Sequence, residues 1–532
     1  SDEYQLRIFS EDTPLAAQEL LAFDEAELER LMYVIPDNNL RGQIRVRCET
    51  PAPLEEGDML SLTWDTYEYQ AEGLHRLYSD LWAPIWQRDE FKASEDLMEW
   101  PQACDILTKA SCQLSPVHID YADPAAWTAT IRKAKAKSAP GADGWHMADL
   151  KLLPQEFLAE FGKICSAFLC EGFPRALMIG GVTVIPKVES PDTVAQTRPI
   201  TVLPTLYRLI MSFACQAILT QWSHTFPASI KGGLPGRGPR DASFLLELQI
   251  EQALHDQTAL AGASIDIVKC FNQLPRQPTA QNLADLGVPL GLVKFWLASL
   301  AKLQRHSIFK RDIGPPLTGT TGAPEGDPFS VVAMLGVCFV WTRFVQGQSG
   351  VTPNSYVDNW SWVDMSPANV HTALAATASF CQAFSLPVDW KKSFGWATKA
   401  PDRHLMAIAL REVSGGDDCR VVKDVRELGV YFRFNRSGRI GTLGQRVSDG
   451  MARLRRLTAL PRPLLVKAHL LQTAIWPMTF FGAEGRAPSS QTLEALRAGG
   501  KKALLRNAHA GSPMMAVAVL HPSLQDLSLI HI

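Results

Sequence analysis

The chain lacks a long hydrophobic run, metal-spaced cysteines and a large net charge, and each absence removes a class of protein. Its longest predominantly apolar stretch, FSVVAMLGVCFVWT at 329–342, has 14 residues, whereas a membrane-spanning helix needs about 20. That excludes a bilayer span there and predicts a buried core helix. Ten cysteines are scattered over 532 residues without a CxxC pair or a Cys/His cluster of zinc spacing. Reduced thiols in an intracellular protein, nuclear or cytoplasmic, are therefore expected. No charged-then-apolar leader opens the sequence, so no secretory signal is expected. Repeats of fixed period and low-complexity tracts are absent too. The opening Ser1 and the ending LSLIHI, which resembles a translated sequencing-adapter end, lead us to expect a fragment whose residues 527–532 are not native.

The net charge of −3 conceals a division along the chain. Residues 1–100 carry 23 Asp and Glu against 8 Lys and Arg, and the rest carries 44 basic against 32 acidic side chains. The most basic stretch, 433–467, holds eight Arg and one Lys against Asp449 alone. A solvated helix face normally mixes signs, so this segment is a candidate for tracking phosphates.

Boundaries follow composition and pattern. Residues 1–125 form an acidic region of helical stretches such as AAQELLAFDEAELERLM and Pro-rich breaks. From 126 onward, GGVTVIPKVESPDTVAQTRPITVLPTLYRLIMSFACQAI reads as strand, loop, strand and long helix, with Lys187 and Arg198 bracketing the loop. GASIDIVKCFNQLP is a short strand ending near Asp266, and TGTTGAPEGDPFS is a Gly/Pro loop opening the apolar helix. SYVDNWSW reads as a hairpin whose tight turn is Asp358–Asn359. A helix over 367–386 and a hairpin at VKDVRELGVYFRF follow, then Arg-rich helices. Irregular alternation of strands and helices predicts an α+β fold with an antiparallel sheet.

A carboxylate ending one strand and another at the tip of a neighbouring hairpin can share divalent cations for nucleotidyl transfer. In this order the motifs resemble those of a reverse transcriptase, of the non-LTR retrotransposon type. KSAPGADGW, VIPKVE…QTRPITVLPTLYRLI, KGGLPGRGPRDA, IDIVKCF, GAPEGDPFS, YVDN, VDWKKS and RELGVYF carry the resemblance, over about residues 130–470.

The resemblance implies an RNA-directed DNA polymerase with a right-hand fold: fingers and the start of the palm at 126–260, the palm with its antiparallel sheet at 261–435, and a mostly helical thumb at 436–510. The acidic N-terminal region would precede it, and 511–532 would be a truncated tail. It implies catalytic residues Asp266, Asp358 and Asn359, with Asp266 and Asp358 holding two magnesium ions that manganese can replace. Lys187 and Arg198 would neutralise the incoming triphosphate, Lys392 would assist the pyrophosphate, and Phe271 would exclude a ribose 2′-OH. Gly322, Glu325 and Gly326 would line the nucleotide site. Arg453, Arg455 and Arg456 would grip duplex backbone. The expected partners are an RNA template, a DNA or RNA primer and dNTPs, with no membrane.

Two positions depart from the family pattern. Glu325 replaces a neutral amide, and Asn359 replaces a carboxylate, leaving a weakened auxiliary ligand that an Asp would strengthen. An inactive nucleic-acid-binding module of the same fold is the alternative. An RNA-dependent RNA polymerase is a further one, disfavoured by Phe271.

Overall fold

The computed structural model describes residues 70–88 and 100–505 apart from 189–190, 192, 310, 417–418, 437–440 and 482–488. It also places two short antiparallel pairs, Phe9–Ser10 with Thr13–Pro14 and Arg45–Val46 with Trp64–Asp65. The acidic helical pattern at 16–32 and the expected tail at 511–532 lie outside the described residues. Of those described, 57% are helical and 14% lie in strands, with antiparallel ladders predominating, so the chain is α+β.

In chain order the remaining strands begin with β1 (Ile179–Pro186), β2 (Thr197–Val202), β3 (Ala261–Asp266), β4 (Gln304–Phe309) and β5 (Asp312–Leu317). They continue with β6 (Asn354–Tyr356), β7 (Asn359–Asp364), β8 (Phe394–Ala397), β9 (Arg420–Val421), β10 (Asp424–Glu427) and β11 (Val430–Arg433). One sheet has the order β6-β7-β3-β8-β9, and a second has β2-β1-β4-β5. β10 and β11 form a separate hairpin. Its turn residues Leu428 and Gly429 both have positive φ, +48° and +83°. That is the geometry a two-residue hairpin loop demands, and it is costly for Leu.

The central sheet is held from one side by its own alternation. Trp360 and Trp362 are both buried on one face of β7, which sends Asn359 and Ser361 to the other. The indoles pack on α4 (Phe329–Ser349) and α5 (Pro367–Ala383): Trp360 stacks on Trp341 at 4.4 Å between ring centroids and meets Phe380 edge-on at 5.8 Å. α4 is the expected apolar helix. It is long and apolar enough to cross a membrane, but 78% of its most apolar window is buried inside the protein, as suits a helix hydrophobic on all sides. Gly350, at φ +73°, ends it with a left-handed cap.

The described part of the N-terminal region packs into this body. α1 (Ala71–Trp86) lies on β4 and β5: His75 Nδ1 is 2.7 Å from Ser307 Oγ, and the buried Arg305 guanidinium sits 4.1 Å from the centre of the Trp86 ring. α2 (Pro101–Ala110) buries Ala103, Ile106, Leu107 and Ala110 in the core that α4 occupies. Among the described residues, both helices of this region pack on elements that follow residue 125. α3 (Thr205–Thr225) is the long helix expected after the Thr-Arg-Pro-Ile strand. At the C-terminal side, α6 (Gly441–Ala459), α7 (Leu464–Leu470) and α8 (Ser490–Leu505) enclose their own core around Leu454, Leu457, Leu471, Trp476 and Leu496.

Candidate active site

The β6–β7 hairpin closes on the pair Tyr356 and Asn359, so its turn residues are Val357 and Asp358. This corrects the expected Asp358–Asn359 turn: Asn359 is the first residue of β7. Val357 is left with φ +58°, a strained region for a β-branched residue. Its carbonyl accepts from Trp360 Nε1 (3.0 Å) and Cys338 Sγ (3.2 Å), which hold the turn. The segment 229–233 seals the hairpin edge. Lys231 N donates to Ser355 O (2.9 Å), Ser355 N donates to Ser229 O (3.0 Å), and a Cβ on Gly232 would meet Val357 N at 2.8 Å.

Register brings the two carboxylates together. Asp266, the last residue of β3, lies directly across from Asn359, next to Asp358. Burial pushes the Asp358 carboxyl above the usual range. Its own backbone N–H opposes this, the charge of Asp266 adds to it, and Arg198 and Lys392 oppose it. Asp266 is pinned through its backbone, because Asp389 N donates to its carbonyl (2.8 Å) and its N–H donates to Ser393 Oγ (3.2 Å).

Lys392 reaches this end of the sheet from the VDWKKS turn. Its Nζ lies 3.1 Å from Asp266 Oδ2 and 2.7 Å from Asp389 Oδ2. Burial works to lower the ammonium's pKa, but the two carboxylates outweigh it and the net shift is upward. Of the two adjacent lysines of this turn, Lys391 and Lys392, it is Lys392 that contacts Asp266.

Lys187 and Arg198 meet across the β1–β2 ladder, where Ile185 pairs with Arg198 and Pro186 with Thr197. Both side chains are exposed. Burial of the amine lowers the Lys187 pKa; Glu325 raises it, while Arg198 and Lys392 lower it further. These mutual influences put Lys187, Arg198, Glu325, Asp358 and Lys392 in one electrostatic neighbourhood. Lys269 joins it: its φ is +47°, its Nζ stands 4.7 Å from the centre of the Trp82 ring, and burial and the charge of Lys187 both lower its pKa.

Glu325 is held by a buried amide. Asn272 Nδ2 donates to Glu325 Oε1 (2.7 Å), and Asn272 Oδ1 accepts from Trp86 Nε1 (2.8 Å). Burial raises the Glu325 pKa, and the hydrogen bond, Arg198 and Lys187 pull it down. Phe271 is partly buried against the main core, and its carbonyl accepts from Ala323 N (2.8 Å), tying it to the Gly/Pro loop. Gly322 (φ +78°) and Gly326 (φ +125°) admit no side chain, because a Cβ would strike the backbone of Asn272 and of Thr201 respectively. The close approach these glycines permit is thus within the chain.

The Asn359 side chain engages this face of the sheet through its amide nitrogen. Its Nδ2 donates to Glu427 Oε1 (3.1 Å) and lies 3.4 Å from Ser264 Oγ. Arg453, Arg455 and Arg456 are exposed on α6, away from the Leu454 and Leu457 face that enters the helical core. They lie outside the cluster just described.

Residues that the sequence reading did not single out also shape the site. Lys269, Asp389 and Glu427 stand inside the motif segments quoted above, and Asn272 follows Phe271. A charge beside an apolar strand residue was the available signal, but nothing in sequence said which way each would face. No family model matches the chain, and no curated protein matches it.

Proposed function

We propose that the chain is an RNA-directed DNA polymerase of the retrotransposon type, with the right-hand arrangement of fingers, palm and thumb. The observation that carries this reading is the register that sets Asp266 opposite Asn359, beside the turn residue Asp358, with Lys187, Arg198, Lys269 and Lys392 in the same electrostatic neighbourhood. The strands β1 and β2 with Lys187 and Arg198 would correspond to fingers, the central sheet to the palm, and the helices of 441–505 to the thumb.

The donor set suits magnesium. Asp266 and Asp358 offer only oxygen, their charges repel, and a hard divalent cation held with substrate phosphates would relieve that repulsion. The ions would supply Lewis-acid stabilisation of the attacking and leaving oxygens. Lys187 and Arg198, with Lys269, attract the triphosphate and screen its charge. Lys392, whose ammonium is kept protonated by Asp389 and Asp266, stands ready to hand a proton to the departing pyrophosphate. Phe271 fills the space that a ribose 2′-OH would require. The exposed arginines of α6 bind the duplex backbone.

Primer extension on an RNA template, with dNTPs or rNTPs and magnesium, tests the reading. Incorporation of dNTPs in preference to rNTPs supports it. A preference for rNTPs overturns it in favour of an RNA polymerase. Incorporation of neither, with primer–template binding retained, favours a binding module.

A further inference from the structure

Glu427 has no part in the chemistry just described, yet it is a nearly buried carboxylate (8% exposed) beside the catalytic strands. It ends β10, immediately before the strained Leu428–Gly429 turn, so it marks the tip of the β10–β11 hairpin. Its Oε1 accepts from Ser264 Oγ and from Asn359 Nδ2. Burial raises its pKa, and those two hydrogen bonds are what pull it back.

The partners come from the two strands that frame the site. Ser264 lies two residues before Asp266 on β3, so both side chains share a face about 7 Å apart. Asn359 is the residue directly opposite Asp266. The hairpin is also fastened along its length by an apolar cluster of Val430, Phe432, Phe434, Phe394 and Trp396, with Trp396 stacked on Phe434 at 4.2 Å. Val430 of that cluster pairs with Glu427, so the polar contacts of Glu427 add to apolar packing at the tip.

We propose that Asn359 and Glu427 act as one positioning unit, in which the amide of the catalytic hairpin grips a buried carboxylate and fixes the β10–β11 tip beside Asp266. The consequence for catalysis rests on the polymerase reading: a primer end presented to Asp266 and Asp358 is bordered by this tip. The grip itself does not depend on that reading. The amide at 359 adds a second donor to the carboxylate beside Ser264 Oγ. An Asp there would remove the donor and press two carboxylates together at hydrogen-bond distance. The substitution that the family pattern would recommend as strengthening is therefore expected to be damaging.

Asn359→Asp, Glu427→Gln, the double variant and the natural chain form a cycle with two readouts. Thermal unfolding reports the grip whether or not the chain polymerises. Asn359→Asp should lower Tm by about 5 °C or more, and the double variant should recover most of the loss, since the new Gln can donate to the new carboxylate. In primer extension, Asn359→Asp should raise the KM for primer–template at least about fivefold with kcat changed less, and the double variant should restore it. Additive losses in Tm overturn the proposal. So does an Asn359→Asp protein as stable as the natural chain, or a double variant that folds no better than Asn359→Asp. Coupling in Tm without any extension by the natural chain would uphold the grip and sink the polymerase reading alone.

Discussion

Replacing Lys392 by Met separates two effects of its ammonium that act in opposite directions. The side chain is 68% exposed, although its Nζ contacts Asp266 and Asp389. Exposed ion pairs contribute about 0–1 kcal/mol to stability, so Tm should scarcely move, and Met keeps the apolar stem. The ammonium sits on Asp266 Oδ2, so on the polymerase reading a divalent cation held by that carboxylate would compete with it. Two unit charges this close in water-like surroundings interact by about 1 kcal/mol. Removing the competitor should therefore lower the magnesium midpoint roughly fivefold. The rate at saturating magnesium should fall by about 10²-fold or more, the scale of a lost general acid. The assay is single-nucleotide extension titrated with magnesium, using Lys391→Met as the control for simple loss of surface charge. A saturating rate within about twofold of the natural chain would refute proton donation by Lys392. An unchanged or raised magnesium midpoint would refute competition at Asp266.

Three further outcomes are expected. Phe271→Val should improve rNTP relative to dNTP incorporation on the order of 10–100-fold, read from competing extension reactions, and an unchanged ratio would remove Phe271 from sugar selection. Arg453, Arg455 and Arg456 replaced together by Gln should leave Tm unchanged but flatten the salt dependence of primer–template binding by up to about two to three units of slope, measured by fluorescence anisotropy. The third outcome concerns Asp327, which accepts from Trp296 Nε1 (3.0 Å) and Phe329 N (3.0 Å) while burial raises its carboxyl from 3.8 to about 6. Because the folded pKa is the higher one, its contribution is full below about pH 4 and is lost as pH rises through about 6. Relative to Asp327→Asn, the natural chain should thus lose about 3 kcal/mol over that range in denaturant unfolding; a pH-independent difference would refute it.

The strands at 179–186, 197–202 and 261–266, the apolar helix and both hairpins were legible because each is a local pattern: apolar alternation, a Gly-rich break or a long apolar run. The identity of the turn in SYVDNWSW was not. Asp and Asn are the better turn formers, and Val is among the worst at positive φ. What overrides that preference is tertiary. Trp360 and Trp362 are buried on one face against α4 and α5, and the pairing of Asn359 with both Tyr356 and Asp266 makes it the first residue of β7, which leaves Val357 in the turn. The same register sends Asn359 to the polar face, where it finds Glu427. Glu427 lies 68 residues further along the chain, and no local pattern could have paired them. A motif comparison judges position 359 by what it lacks, a second carboxylate. The packing judges it by what it supplies, a donor to the neighbouring buried carboxylate.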